Sequence, residues 1–341
     1  MRITFRRTAS RALAVSMTAL LSAGALAACS SDEPDTGNGS SGDTRTVTDA
    51  RGEVEIPADP ERVAAFDNRI FQVLADWDID LVSAPVTLIP DTIEKYHDDT
   101  EIHDTGSHRE PNLEELVAAD PDLVITGYRY ASQYDEMKEL LPDTPIIDLS
   151  FGEDSEGEAD QPLEDTLKQV TNLIGEVFQK EDEAEGLVEK FDEAKDRAKA
   201  AYDTDETVMG LIVSGGDISY SAPTTGRSVG PVFDMLGLTP SMERDGSSNH
   251  QGDDISVEAI AESNPDWLIV MDRDAAVSSS GEDSRPADEV IADSEALKNV
   301  PAVKEGNIVY FPDDFYTTED IEAYTTALNG IADAFEAHDS E

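Results

Sequence analysis

Three arginines lie where a folded chain could present them to an anionic ligand. Arg129 and Arg273 come shortly after or directly after runs typical of buried strands, and Arg227 lies in the glycine-rich loop PTTGRSVG before a predicted helix. Guanidinium groups suit an anion with planar oxygen atoms, and a helix N-terminus favours negative charge. Since the chain has 24 Lys and Arg against 75 Asp and Glu, each arginine could equally pair with a nearby acid.

Two further residues could supply ligands to a metal ion. His250 lies in the polar loop DGSSNHQGDDIS, and Tyr316 lies in PDDFYTTED, after the strand predicted at 307–311. Taken alone, the histidine fits a surface position and the tyrosine fits a packing position. Together they offer one imidazole and one phenolate, a hard oxygen ligand that suits ferric iron better than zinc.

The remaining sequence carries no catalytic signature. It lacks a Gly-x-Ser-x-Gly elbow, a phosphate-binding P-loop, a His-Glu-x-x-His motif and a cysteine positioned as a nucleophile. Acid pairs are uninformative in so acidic a chain, so we predict a binding protein with no intrinsic cofactor and not an enzyme. The formal net charge of −51 also excludes nucleic acid as an expected partner.

A repeated segment would position two of the arginines. Residues 112–129 (NLEELVAADPDLVITGYR) and 256–273 (SVEAIAESNPDWLIVMDR) match at a constant offset of 144. Each copy predicts a capped short helix, a Pro-Asp turn, a strand buried on both faces and an arginine at its carboxyl end. Ligands bind at that edge of open α/β sheets. Helix–turn–strand patterns are common, but the matched arginines favour duplication and a shared cleft.

The fold class is therefore predicted to be α/β, with two Rossmann-like lobes of mostly parallel sheets and a ligand cleft between them. The N-terminal lobe is assigned to 47–160 and the C-terminal lobe to 203–341. Apolar spacing predicts a helical bridge over 161–202. Because one helix of that length is too long for a compact body, we expect a break near 180–182. The second piece would be the long helix that joins the lobes, with an ordinary crossover helix as the alternative.

The N-terminus predicts export and anchoring. Residues 1–28 combine a basic start with a short apolar stretch, and Leu26-Ala-Ala-Cys29 matches the bacterial lipobox. We predict a lipoprotein signal peptide, lipidation of Cys29 and a flexible tether over 29–46. Cys29 is the single cysteine, so no disulfide can form within the chain.

With these motifs in view, the chain resembles the substrate-binding lipoproteins of bacterial ferric-siderophore ABC importers, from about Val47 to Phe335. The segments that carry the resemblance are the lipobox, EPNLEELVAADPDLVI (110–125), TTGRSVGPVFDMLGL (224–238), HQGDDISVEAIAESNPDWLIVMDR (250–273) and IVYFPDDFY (308–316). The later segments look closest to the catecholate-binding branch.

This resemblance implies roles for particular residues. Arg129, Arg227 and Arg273 would hold the anionic oxygen atoms of the siderophore, while His250 and Tyr316 would complete the coordination of iron(III). One glutamate on each lobe, Glu114 and Glu258, would dock onto the permease of the importer, which works with its ATPase.

Two features depart from the family pattern. Gln251 separates His250 from the glycine that usually follows the histidine directly, which puts the reach of His250 to the metal in question. Tyr128 and Tyr130 flank Arg129 in place of a small polar segment and could stack on catechol rings or pack internally.

The expected protein is a monomer, lipid-anchored to the outer face of the cytoplasmic membrane. A hydroxamate siderophore, haem or a corrinoid would be alternative cargo on the same fold. A surface lipoprotein enzyme or an adhesion module is the alternative from another functional class.

Overall fold

The computed structural model describes residues 43–152, 161–277 and 285–338. The predicted signal peptide, Cys29 and most of the predicted tether lie outside these residues. Gly42–Glu341 form one compact unit, which contains two α/β lobes and the helices between them.

The N-terminal lobe is built on a five-stranded parallel sheet with the order β5-β4-β3-β6-β7. One face packs against an N-terminal hairpin and α1, and the other against α3 and α4. The elements are β1 (Thr44–Asp49), β2 (Gly52–Pro57), β3 (Val63–Ala65), α1 (Phe71–Asp76), β4 (Leu81–Ala84), α2 (Glu94–His97), β5 (His103–Asp104), α3 (Leu113–Ala118), β6 (Leu123–Thr126), α4 (Tyr134–Leu140) and β7 (Ile146–Asp148).

The hairpin β1–β2 was not expected from the sequence. It pairs antiparallel and begins at Thr44, inside the segment 29–46 that was predicted to be a tether. Val47 and Ile56 point into the core, while Thr46, Thr48 and Glu55 beside them are polar and exposed. Backbone pairing and these two apolar side chains therefore order a stretch whose composition alone resembles a linker.

Two helices join the lobes, α5 (Leu163–Phe178) and α6 (Glu181–Ala201). The chain breaks between them at Gln179, whose φ of 55° is left-handed and ends α5. Leu187 on α6 packs against the main cores of both lobes. The 21 residues of α6 span about 31 Å, so α6 is the long bridging helix, and α5 lies beside it.

The C-terminal lobe has a four-stranded sheet with the order β11-β10-β8-β9, parallel except for the β8–β9 hairpin. That hairpin turns on Gly215-Gly216, both with positive φ. The elements are β8 (Val208–Ser214), β9 (Asp217–Tyr220), α7 (Gly230–Leu236), α8 (Val257–Ser263), β10 (Trp267–Asp272), α9 (Arg273–Val277), α10 (Ala287–Ala292), α11 (Pro301–Glu305), β11 (Ile308–Tyr310), α12 (Phe315–Thr318) and α13 (Ile321–His338).

The two repeat copies adopt the same local structure. Asn112 and Ser256 cap α3 and α8 through their side chains, and the helices are followed by left-handed Asp120 and Asn264. The next strand lies at an inner position of its sheet in both lobes, beside β3 in one and β8 in the other. This agreement extends beyond sequence and supports duplication of one α/β unit.

Candidate functional site

The three predicted arginines come from three different connections at the carboxyl ends of strands. Arg129 lies in a short 3-10 helix, Tyr128–Gln133, just after β6. Arg273 is the first residue of α9, directly after β10. Arg227 lies in the loop between β9 and α7. The sheet edges of both lobes therefore supply cationic side chains to one cleft, as the repeat predicted.

Close backbone approach fixes the loop that carries Arg227. A Cβ atom at Gly226 would lie 2.3 Å from the backbone nitrogen of Ala222 and 2.5 Å from its oxygen. The Gly226 N–H donates to that same oxygen at 2.8 Å. Because a side chain at this position would clash with backbone, the glycine is required for the tight turn that directs Arg227 inward.

The arginines converge on the ring of Tyr316. The guanidinium carbons of Arg273, Arg227 and Arg129 lie 4.9, 5.2 and 5.3 Å from its centroid. Tyr316 is 5% exposed, and the side chains of Arg129 and Arg227 are 9% and 8% exposed. The cleft thus concentrates positive charge around one buried phenol in a strongly acidic protein.

Two of these arginines also face an acid, Glu319, as the ion-pairing alternative anticipated. Arg227 Nη2 contacts Glu319 Oε2 directly, and Arg129 Nη2 lies 3.7 Å from the same oxygen. Burial, the largest single influence, would lower the pKa of Arg227, but the attraction of Glu319 and the nearby tyrosines together outweigh burial and raise it. Arg273 instead donates to the hydroxyl of Ser214 at 3.2 Å.

The guanidinium groups keep unused donors. The Nε atoms of Arg129, Arg227 and Arg273 are buried and have no hydrogen-bond partner. A buried donor without an acceptor costs about 1 to 3 kcal/mol. Ligand oxygen atoms that reached these groups would offset that cost, so the cleft is suited to an anion.

His250 and Tyr316 are brought together. The tyrosine hydroxyl lies 2.9 Å from Nδ1 of His250. His250 is exposed as a residue, but partial desolvation of its ring, then the charges of Arg227 and Arg129, lower its pKa to about 4. The imidazole is therefore neutral at pH 7 and retains the lone pair that a metal ligand needs.

The loop carrying His250 is tied back to the sheet despite the extra residue Gln251. Asp253 pairs with Tyr220 at the end of β9, and its carboxylate accepts from the N–H and hydroxyl of Ser247 at 2.8 and 2.7 Å. These contacts close the loop around His250, so the insertion does not carry the histidine away from Tyr316.

The two tyrosines beside Arg129 differ. Tyr130 is fully buried, packs on Phe66 and donates to the oxygen of Gly106 at 2.9 Å, so it is a core residue. Tyr128 has a left-handed φ of 46° and faces the arginines, with Arg69, Arg227 and Arg129 at 5.0, 5.5 and 5.7 Å from its ring. Burial and Glu319 raise the pKa of its phenol to about 12. Tyr128 therefore stays a candidate contact for the ligand.

Sequence reasoning missed several cleft residues. Glu319 was hidden among 75 acids. Arg69, which follows β3, forms a buried pair with Asp67 at 2.6 Å and lies over Tyr128. Its place after a buried strand was a usable signal, the same one that identified Arg129. Asn68 donates to the oxygen of Thr317 at 2.7 Å and so links the two lobes across the cleft.

Glu114 and Glu258 lie elsewhere. Both are exposed and occupy the first turns of α3 and α8, at equivalent positions of the repeat. Acidic residues in a first turn also favour the helix itself. Their role in permease docking stays a prediction.

Two protein donors cannot fill the coordination sphere of iron. Across the described residues, no group of three or more His, Cys, Asp or Glu side chains is arranged to hold a metal ion. A metal at His250 and Tyr316 would thus have to arrive with its own ligands. Within the same ranges, no helix combines the length and apolar character needed to cross a membrane.

Comparison with known proteins identifies the fold. A family model described as periplasmic binding protein matches residues 63–315, from β3 into α12. The chain belongs to the periplasmic binding protein family. All three arginines and His250 fall within the matched residues, whereas the β1–β2 hairpin, Tyr316 and α13 lie outside them.

This periplasmic binding protein is similar to several characterised members. It is 27% identical to the petrobactin-binding protein YclQ of Bacillus subtilis over 83% of this chain and 84% of that protein. It is 29% identical to the ferric-anguibactin-binding protein FatB of Vibrio anguillarum, over 84% and 86%. The solved structure of BauB, bound to two acinetobactin molecules and ferric iron, superposes with a TM-score of 0.71 at 25% identity, covering 86% and 99%.

Proposed function

We propose that this periplasmic binding protein binds an iron(III) complex of a catecholate siderophore and delivers it to the permease of an ABC importer. The observation that carries the proposal is the convergence of Arg129, Arg227 and Arg273 on Tyr316, with His250 beside it. Anionic oxygen atoms and a metal with open positions are the two features that this cleft matches.

The relatives support the same cargo class. YclQ, FatB and BauB are named for petrobactin, ferric anguibactin and a ferric acinetobactin complex. Each aligns along most of this chain. A binding role without catalysis also agrees with a cleft built from cations and aromatic rings.

The proposed binding mode divides the work between two sets of residues. The arginines neutralise the catecholate oxygen atoms, with Tyr128 against a catechol ring. Neutral His250 and the Tyr316 oxygen occupy the iron positions that a tetradentate siderophore leaves open. A hexadentate siderophore leaves none, so its binding would depend on the arginines alone.

Delivery requires a place and a docking surface. We propose that the lipidated Cys29 holds the protein, as a monomer, at the outer face of the cytoplasmic membrane. Glu114 and Glu258 would then meet basic residues of the permease, one from each lobe. The bridging helix α6 packs on both cores and would permit modest closure of the lobes.

The direct test is titration of the purified protein with ferric complexes of a tetradentate bis-catecholate and a hexadentate hydroxamate, followed by calorimetry and the visible charge-transfer band. We expect sub-micromolar binding of the bis-catecholate and a band shift that His250→Ala and Tyr316→Phe each remove. The triple change Arg129→Ala, Arg227→Ala, Arg273→Ala should abolish binding.

The controls separate the parts of the proposal. Unchanged affinity in the triple arginine variant would show that the site is wrong. Tight binding of the hydroxamate alone would retain a siderophore receptor but remove the iron-ligand roles of His250 and Tyr316. Binding of neither complex would contradict the siderophore proposal, and haem and corrinoids would be tested next.

A further inference from the structure

Glu319 occupies an unexpected place in a cleft suited to anions. It is 8% exposed, and one of its carboxylate oxygens faces both Arg227 and Arg129. The Tyr128 hydroxyl lies 3.5 Å from that same oxygen, and the other carboxylate oxygen accepts from the hydroxyl of Ser228 at 2.7 Å. Tyr128 and Arg129 belong to the N-terminal lobe and the other two residues to the C-terminal lobe, so this carboxylate joins the lobes.

The backbone at Glu319 gives an independent observation. The residue ends α12 with a left-handed φ of 47°, a conformation that favours glycine. A residue other than Gly, Asn or Asp in this conformation costs about 1 kcal/mol or more of folding free energy. Glycine would end the helix at a lower energetic cost. The glutamate at this position therefore indicates that its carboxylate side chain is needed there.

We propose that Glu319 is a built-in counter-anion, which holds Arg129 and Arg227 in place in the unliganded cleft and sets the charge of the complex that the cleft prefers. Glu319 is a positioning and specificity-determining residue in this proposal. It holds two guanidinium groups by one oxygen and leaves their buried Nε donors unused. Glu319 does not hold Arg273 in this way; Arg273 donates a hydrogen bond to Ser214 instead.

The charge balance gives the selectivity. The cleft holds three guanidinium groups and one carboxylate, so its net charge is positive. That net charge is one unit lower than the charge of the arginines alone. A ferric tris-catecholate carries two more formal negative charges than a ferric bis-catecholate. The retained carboxylate repels the more highly charged complex more strongly, since charges near a poorly solvated site interact with little screening. This part of the inference rests on the proposed function.

The counter-anion role can be tested without any siderophore. The variants are Glu319→Gln, which keeps the size of the side chain, and Asp313→Asn, which removes the same charge from an exposed residue just before α12. Thermal unfolding is measured in sodium chloride and in sodium sulfate at equal ionic strength. We expect the midpoint of Glu319→Gln to fall by about 5 °C in chloride, and sulfate to restore more than half of that loss. Equal sulfate shifts in the wild type and both variants would overturn the counter-anion role.

The selectivity is tested with ferric complexes of one tetradentate bis-catecholate and one hexadentate tris-catecholate. In Glu319→Gln, the ratio of the two affinities should move at least about tenfold towards the tris-catecholate, whereas Asp313→Asn should retain the wild-type ratio. An unchanged ratio in Glu319→Gln would refute the selectivity while leaving the proposed function intact. If the wild type bound neither complex, the proposed function and the selectivity built on it would both fall, and the sulfate comparison would still decide whether Glu319 is a counter-anion.

Discussion

The two repeat copies end in arginines that have different surroundings. Arg129, from the N-terminal lobe, reaches across the cleft to the carbonyl oxygen of Tyr316 at 3.2 Å and faces Glu319. Arg273, from the C-terminal lobe, bonds to Ser214 of its own lobe. Equivalent strands thus deliver equivalent side chains, and the segments around them decide what each arginine does.

Those segments are the unrepeated parts of the molecule. The loop with Arg227, the loop with His250 and the stretch from α12 into α13 lie outside the matched segments 112–129 and 256–273. They supply the third arginine, the candidate iron ligands and the carboxylate Glu319. In the proposed binding mode, the duplicated segments would supply two arginines for anionic oxygen atoms, and the unrepeated connections of the C-terminal lobe would supply the residues that select the ferric complex.

The largest expected effect is a difference in ligand affinity between variants of the two repeat arginines, Arg129 and Arg273. Arg129→Ala removes a charge and a link between the lobes, so affinity for a ferric bis-catecholate should fall about 100-fold. Arg273→Ala removes a charge but no such link and should cost about tenfold. Calorimetric titration measures both.

A suitable control for both variants is Arg285→Ala, which removes an exposed arginine paired with Asp293 on the C-terminal lobe. Its affinity should match the wild type. Equal losses in Arg129→Ala and Arg273→Ala would contradict the distinction drawn between the copies.

The aspartates of the Pro-Asp turns should behave alike, in contrast to the arginines. Asp122 accepts from the backbone N–H groups of Glu61 and Arg62 at 2.9 and 3.0 Å, and Asp266 accepts from the N–H and hydroxyl of Thr207, both at 2.8 Å. Asp122→Ala and Asp266→Ala should each lower the free energy of unfolding by about 2 kcal/mol. Denaturant unfolding measures this change.

Ligand affinity should survive in both aspartate variants, because these turns precede the strands and the arginines follow them. A large loss of stability at one position alone would mean that the two copies no longer share this connection.

The exposed glutamates extend the comparison to the outer surface. If Glu114 and Glu258 dock onto the permease, Glu114→Ala and Glu258→Ala should each reduce uptake of the ferric siderophore by cells about tenfold. Affinity for the complex should not change. Glu305→Ala, at another exposed glutamate, serves as the control and should transport normally. Normal uptake in the double variant would remove this docking role.

The sequence could predict the arginines because a physical rule connects strand ends to ligand clefts in α/β proteins. The repeat placed Arg129 and Arg273 at equivalent ends, and the strands and helices around them formed as expected. The pairing of His250 with Tyr316 came from their ligand chemistry and from the family resemblance, because the residues are 66 positions apart and no local pattern links them.

Other features left no readable signal. Glu319 could not be distinguished among so many acids, and its role depends on the fold of three separate loops. The β1–β2 hairpin contains mostly polar residues, and its order comes from backbone pairing and from burial of Val47 and Ile56 against the lobe. Long-range contacts of this kind override local composition.

The smallest expected effect concerns Asp320, the residue after Glu319, whose surroundings differ from those of its neighbour. Asp320 is 1% exposed, and its Oδ2 has no hydrogen-bond partner. Burial raises its pKa from 3.8 to about 7, assisted by Glu322 and Asp314, although the N–H of Ala323 donates to it. The folded protein therefore binds this proton more tightly than the unfolded chain does. Its contribution to stability is fully present below about pH 4 and is lost as pH rises through about 7.

Asp320→Asn keeps the acceptor for Ala323 without the charge. The free energy of unfolding of this variant should therefore exceed that of the wild type by about 1 kcal/mol at pH 8, with a smaller difference at pH 5. Denaturant unfolding at the two pH values measures both differences. Since Glu319 faces guanidinium groups, Glu319→Gln should instead be less stable than the wild type at pH 8, and stabilisation by both substitutions would contradict the separate roles of these adjacent acids.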